Sequence, residues 1–151
     1  MKVFVSLLLG GNIGDTASVF DRAVASLEQG GFEIAARSRN FATSPVDCVP
    51  GTPDFLNAAV TGSWEKSPRD LLDLTQSIER ALGRPEKHSS REARTLDIDI
   101  ITFGDLVLTE PSLTIPHPRA QKRRFVLEPL FSIAPDLRFP DSGKTPRQLL
   151  S

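Results

Sequence analysis

A chain of 151 residues, 39% hydrophobic and 25% charged, has the size and balance of a single domain built around one core. Lysine and arginine total 18 against 19 aspartates and glutamates, which excludes an overall field able to draw the molecule to nucleic acid or to an anionic membrane; any anion site must be local. The lone cysteine, Cys48, cannot close an internal disulfide, and no Cys/His set has zinc spacing, so a reducing, cytoplasmic setting is expected.

Residues 2–9 are dense in β-formers and run into Gly10-Gly11, the pattern of a strand buried on both faces that enters a tight loop; no apolar run is long enough to span a bilayer. Asp15 suits a helix N-cap, and Val19, Phe20, Ala23, Val24 and Leu27 recur at helical spacing until Gly30-Gly31. Residues 32–43 read as strand-like. The following stretch carries Pro45, Pro50, Gly51 and Pro53 and must be an irregular loop, after which Phe55 to Trp64 returns as a strand. Pro68 suits the first position of a second helix, whose apolar stripe of Leu71, Leu72, Leu74, Ile78, Ala81 and Leu82 stops at Gly83.

A polar stretch then leads into Leu96-Asp97-Ile98-Asp99-Ile100-Ile101-Thr102-Phe103, a strand by its β-branched content. Gly104-Asp105 reads as a hairpin turn into residues 106–108. Beyond it lie a Pro116-His117-Pro118 corner, a basic stretch from Arg119 to Arg124, a short helix around residues 126–133 and a C-terminal tail. Strand, helix, strand, strand, helix, strand is the order of a ferredoxin-like α+β core. That core, βαββαβ, has an antiparallel sheet with two helices on one face, here followed by a hairpin and short helices.

Strand side chains alternate between faces, so Asp97 and Asp99 point one way while Leu96, Ile98 and Ile100 point the other. Two like charges side by side on a strand repel unless a cation sits between them. An isolated Asp-x-Asp is ordinarily a solvated face paired with lysines or arginines. Here Arg84, Lys87 and Arg94 precede the pair and a second basic cluster follows it, the interleaving that a magnesium-polyphosphate site requires. No Gly-x-x-x-x-Gly-Lys-Ser/Thr loop is present, so this is not a P-loop enzyme.

Gln76 and Glu79, three apart, share a face of the second helix; a polar surface stripe is their default reading. The basic stretch reads as solvated surface with one or two residues reaching a phosphate. His117 is fixed between prolines, where a backbone hydrogen bond rivals a ligand contact. Asn57 is an amide in an apolar strand, which either braces the proline-rich loop or reads the edge of a flat heterocycle, with Phe55 and Phe125 available to stack on the ring.

Five blocks occur in order: Gly10-Gly11-Asn12-Ile13-Gly14-Asp15, Thr43-Ser44-Pro45, Pro53-Asp54-Phe55-Leu56-Asn57-Ala58-Ala59-Val60, Arg94-Thr95-Leu96-Asp97-Ile98-Asp99-Ile100-Ile101, and Ile115-Pro116-His117-Pro118 with Arg123 and Phe125. Together they resemble the 6-hydroxymethyl-7,8-dihydropterin pyrophosphokinases of folate biosynthesis. The resemblance implies transfer of the β,γ-diphosphoryl unit of ATP to the pterin hydroxymethyl group, with release of AMP. It implies two Mg2+ ions on Asp97 and Asp99, a pterin pocket of Thr43, Pro45, Phe55, Asn57 and Phe125, and ATP contacts from Gln76, Glu79, Arg94, Ile98, Thr114, His117 and Arg123. Arg84 and Arg94 match arginines that steady the reacting phosphates. Arg91, Glu86, Glu92, Ala93, Gly11 and Ser112 depart from the residues most frequent at their positions, the last where arginine can occur.

The expectation is therefore a monomeric single-domain enzyme spanning residues 1–151 that acts on ATP and the reduced pterin, with no nucleic-acid or membrane partner. A magnesium-dependent phosphohydrolase using the same aspartates is the rival enzyme class. A ferredoxin-like RNA-binding module is the rival outside enzymology, disfavoured because the chain has no tyrosine and the two aspartates would repel a phosphate backbone.

Overall fold

The computed structural model describes residues 1–12, 15–43, 54–82 and 96–151. In chain order the elements are β1 (Val3–Gly11), α1 (Thr16–Gln29), β2 (Glu33–Arg37), β3 (Phe41–Thr43), β4 (Phe55–Trp64), α2 (Pro68–Leu82), β5 (Asp97–Phe103), β6 (Leu108–Glu110), β7 (Leu113–Ile115), α3 (Arg124–Ile133) and α4 (Pro146–Leu150).

The main sheet has the order β2-β4-β1-β5, with β3 also on β4, and every pairing is antiparallel. This is the ferredoxin-like arrangement expected from the element order. The central place of β1 explains its unbroken apolar run: Val5, Leu7 and Leu9 pack into the core formed with α1 and α2, while Leu8 belongs to a second cluster on the opposite face. That second cluster joins Leu8, Ala59 and Ile101 to Val126, Leu127 and Leu130 of α3 and to Phe139. The long helices share one face as expected, and the short C-terminal helices close part of the other.

Local signals place the helices. The Asp15 carboxylate accepts from the backbone N–H of Ser18 at 3.2 Å, and Ser67 Oγ does the same for Asp70 at 3.0 Å, so each long helix starts with its free N–H groups partly satisfied. α4 opens on a reciprocal capping box between Thr145 and Gln148.

The segment expected as one strand is two. β2 and β3 both pair with β4, and Ser38 bridges the break between them: its N–H donates to Ala59 O at 2.9 Å and its Oγ accepts from Ala59 N–H at 2.8 Å. The hairpin expected at Gly104-Asp105 is also displaced. The turn there ends β5, with Gly104 N–H on Phe4 O at 2.7 Å, and Leu106 packs against the core instead of continuing a strand. The hairpin forms one step later, between β6 and β7, as a separate two-stranded sheet.

β5 carries an irregularity opposite Ser6 and Leu7: Thr102 pairs with Ser6, and Ile100 pairs with Leu7. Ile101 is the extra residue, and both it and Thr102 lie on the α3 side. Ile101 joins the second cluster, and Thr102 Oγ1 is 2.6 Å from Ser6 Oγ in a buried hydroxyl pair. Among the described residues no helix is long and apolar enough to cross a membrane.

Candidate active site

Strand register sets the floor of the main cleft. Gly10 of β1 stands between Asn57 of β4 and Asp97 of β5 in one row across the sheet, and Phe41 of β3 extends the row beyond Asn57. A Cβ built on Gly10 would lie 2.9 Å from Asn57 Nδ2, so only glycine leaves the amide its place. Asn57 is buried and its Nδ2 donates to Leu9 O at 3.3 Å, which fixes the side chain over the glycine.

The cleft above this floor has a volume of about 430 Å³ and is bordered by Leu8, Gly10, Gly11, Thr43, Phe55, Asn57, Asp97, Asp99, Arg123 and Phe125. Thr43 and Phe55 face each other in the β3–β4 ladder. Phe125, one of the few exposed large apolar side chains, stands at the start of α3, with the Arg123 guanidinium 5.3 Å from its ring centre. Aromatic and apolar walls with a fixed amide at the base suit a flat heterocycle.

Two further cavities lie along the outer edge of β5. One, about 360 Å³, is bordered by Leu72, Thr75, Gln76 and Glu79 of α2 with Asp97, Ile98 and Asp99. The other, about 250 Å³, is bordered by the same strand, by Leu72, by Pro111, Ser112, Leu113 and Thr114 of the β6–β7 hairpin, and by His117 and Pro118. Asp99 borders all three cavities. The two aspartates thus form the lip between the main cleft and the β5 edge.

Glu79 is not a surface residue. It is buried, and its carboxylate accepts the Ile98 N–H at 2.8 Å, holding the backbone of the residue between the two aspartates. Gln76 is exposed on the same helical face. His117 donates its backbone N–H to Ile101 O at 3.0 Å, and its Nδ1 accepts from Arg119 N–H at 3.2 Å. Burial lowers the pKa of the imidazole, Asp99 opposes that fall, and Arg123 and Arg119 add to it. The neutral ring then carries its proton on Nε2 and offers a donor there.

Asp97 and Asp99 are two hard oxygen donors about 7 Å apart at Cα by strand spacing. No group of three or more His, Cys, Asp or Glu side chains that could hold a metal occurs among the described residues. Two carboxylates without soft ligands fit Mg2+, which ordinarily takes one or two protein carboxylates and completes its shell with water and phosphate oxygens.

Of the expected site residues, the structure brings Thr43, Phe55, Asn57, Phe125, Arg123, Asp97 and Asp99 to the main cleft. It brings Gln76, Glu79, Ile98, Thr114 and His117 to the β5 edge. Arg123, expected with the nucleotide, borders the main cleft beside Phe125. Pro45, Arg84 and Arg94 lie outside the described residues, as do Glu86, Arg91, Glu92 and Ala93. Leu72 and Leu8 border cavities without having been singled out. Their sequence signal, an apolar residue in an apolar stripe, is the same as that of any core position.

Residues 6–135 match the family described as 7,8-dihydro-6-hydroxymethylpterin-pyrophosphokinase (HPPK). A 2-amino-4-hydroxy-6-hydroxymethyldihydropteridine pyrophosphokinase from Synechocystis sp. is 42% identical over 148 residues, covering 94% of this chain and 72% of its own length. The protein of the same name from Methylorubrum extorquens is 39% identical over 147 residues, covering 95% of this chain and 89% of its own. In three dimensions the chain is similar to the Plasmodium falciparum HPPK-DHPS crystallised with pteroate, at a TM-score of 0.73 and 15% identity. That likeness covers 99% of this chain and 42% of the other, and it speaks for the fold alone.

Proposed function

The chain belongs to the 7,8-dihydro-6-hydroxymethylpterin-pyrophosphokinase family, ATP-dependent diphosphotransferases of folate biosynthesis, and on that premise we propose how its residues divide the reaction. The pterin occupies the cleft over Gly10, and ATP lies along the β5 edge. The observation that carries this division is that Asp99 borders all three cavities, so a group bound on either side meets the other at the aspartates.

On the pterin side, Phe55 and Phe125 stack on the ring, Asn57 reads its polar edge and Thr43 borders it, with Pro45 assigned there by family likeness. On the nucleotide side, Gln76, Thr114 and His117 bind the adenosine and phosphates, with Ile98 forming an apolar surface. Glu79, through the Ile98 N–H, keeps the Asp97–Asp99 backbone in register. Arg123 stands beside the ring cleft, where its charge reaches the transferred group. Arg84 and Arg94 are assigned to the phosphates by the same likeness.

Asp97 and Asp99 would hold Mg2+, two ions by that likeness, which neutralises phosphate charge and lowers the cost of bringing the hydroxyl oxygen to the β-phosphorus. The rest of the work is alignment: the pterin hydroxymethyl oxygen attacks the β-phosphorus, the bond to the α-phosphate oxygen breaks and AMP leaves. We also assign the working unit to one chain acting as a single domain and a monomer, since the described residues given to both substrates come from one sheet and the elements packed on it.

Two measurements test this. With ATP and the reduced hydroxymethylpterin, AMP formation should stop when divalent ions are chelated and return with added Mg2+; undiminished turnover in excess chelator would reject the metal reading. Gly10→Ala should raise the KM for the pterin about tenfold with little change in the KM for ATP, because the new methyl displaces the Asn57 amide. An unchanged pterin KM would remove Asn57 from the ring site.

A further inference from the structure

Arg69, Leu72, Gln76 and Glu79 recur along α2 at spacings of three and four, so they share one helical face. Leu72 borders both cavities at the β5 edge, and Arg69 stands one turn before it. The Arg69 guanidinium crosses to the tip of the β6–β7 hairpin. Its Nη1 donates to Ser112 Oγ at 2.7 Å and its Nη2 to the Glu110 carboxylate at 2.7 Å. Ser112 and Thr114 belong to the wall facing Leu72 across the smaller cavity. One side chain therefore ties together the two elements that enclose it.

We propose that Arg69 is a positioning residue for the nucleotide, fastening the hairpin tip to the first turn of α2 and thereby setting the width of the cavity that Thr114 and His117 border. The inference rests on the placement of ATP argued above. Folding does not require the contact. The pair with Glu110 is about half exposed, where ion pairs add little to stability. Leu113 and Ile115 already anchor the hairpin in the core. The guanidinium matters for its shape: a planar fork engages two acceptors at once, and a lysine ammonium in its place would lose that two-point geometry.

The test compares Arg69→Ala and Arg69→Lys with His117→Ala as a reference for the nucleotide site. Arg69→Ala should raise the KM for ATP about tenfold, a loss matched by calorimetry with a non-hydrolysable ATP analogue and Mg2+. The pterin KM, kcat and melting temperature should stay near wild type, and Arg69→Lys should recover part of the loss. Wild-type ATP affinity in Arg69→Ala beside weakened affinity in His117→Ala overturns the role of Arg69 alone. Wild-type affinity in both variants overturns the placement of the nucleotide. A lower melting temperature with both KM values raised together overturns the positioning role and makes Arg69 a residue of the fold.

Discussion

Asp97→Asn should lower kcat/KM by about a thousandfold while leaving the melting temperature close to wild type. The substitution keeps size and shape, removes the charge and turns one acceptor oxygen into an NH2 donor. Asp97 is half-buried at the lip of the cleft and Asp99 is exposed, so neither contributes much to the core, and an amide in either place is accommodated. What changes is the ability to share a divalent cation with phosphate. Asp99→Asn should fall by a similar factor, and the double variant by far less than the product of the two, because both carboxylates serve one metal-phosphate assembly. Full multiplicativity in a three-variant kinetic comparison would show that the aspartates act separately and would sink the shared-site reading. Analogue binding should also lose its Mg2+ dependence in the double variant.

Gly62→Ala should cost about 3 kcal/mol and lower the melting temperature by about 10 °C, with activity per folded molecule unchanged. Gly62 lies in β4 opposite Val5 of β1 and Ile34 of β2. A Cβ there would come within 2.2 Å of the Glu33 carbonyl oxygen and 2.4 Å of Phe32 Cε1. The carbonyl is backbone and cannot turn aside without disturbing β2. Phe32 is fully buried, its ring centre 6.4 Å from that of Trp64, itself fixed by an indole N–H to Ser67 O at 2.9 Å. The methyl has no cheap way out on either side. The position is remote from the cleft, which separates its effect from that of Gly10→Ala; thermal and urea unfolding would measure it, and a wild-type midpoint would show that β2 yields more easily than its packing indicates.

The fold was legible where local and tertiary preferences agree. The apolar run of β1, the Asp15 cap and the stripe on α2 each pointed to the structure they adopt. The candidate site was legible through residues that are wrong for their surroundings and that come to border its cavities, namely Asp97 and Asp99 on a strand, Asn57 among apolar neighbours and His117 between prolines. Glu79 was harder to read. Its spacing from Gln76 suggested a solvated stripe, and only the approach of β5 shows that its carboxylate is buried against a backbone N–H. The break between β2 and β3 depends on Ser38 reaching across to β4, which no local pattern encodes. The hairpin was misplaced because Gly104-Asp105 has turn chemistry, but the core claims Leu106 before a return strand can start. By contrast, the place of α4 is encoded in Thr145-Pro146-Arg147-Gln148, a capping box with proline at the first helical position.

The extra residue in β5 has a consequence for how one short strand serves two masters. With strict alternation, Phe103 would fall on the same side as Asp97 and Asp99, a benzyl group beneath α3 instead of against Val5. Bulging Ile101 out of the ladder shifts the phase once, so the entrance of the strand presents oxygen to solvent while its exit seals the larger hydrophobic layer. Pairing all seven residues flat, with no bulge, would force a choice between chemistry and closure, turning either the acids inward or the phenyl ring out.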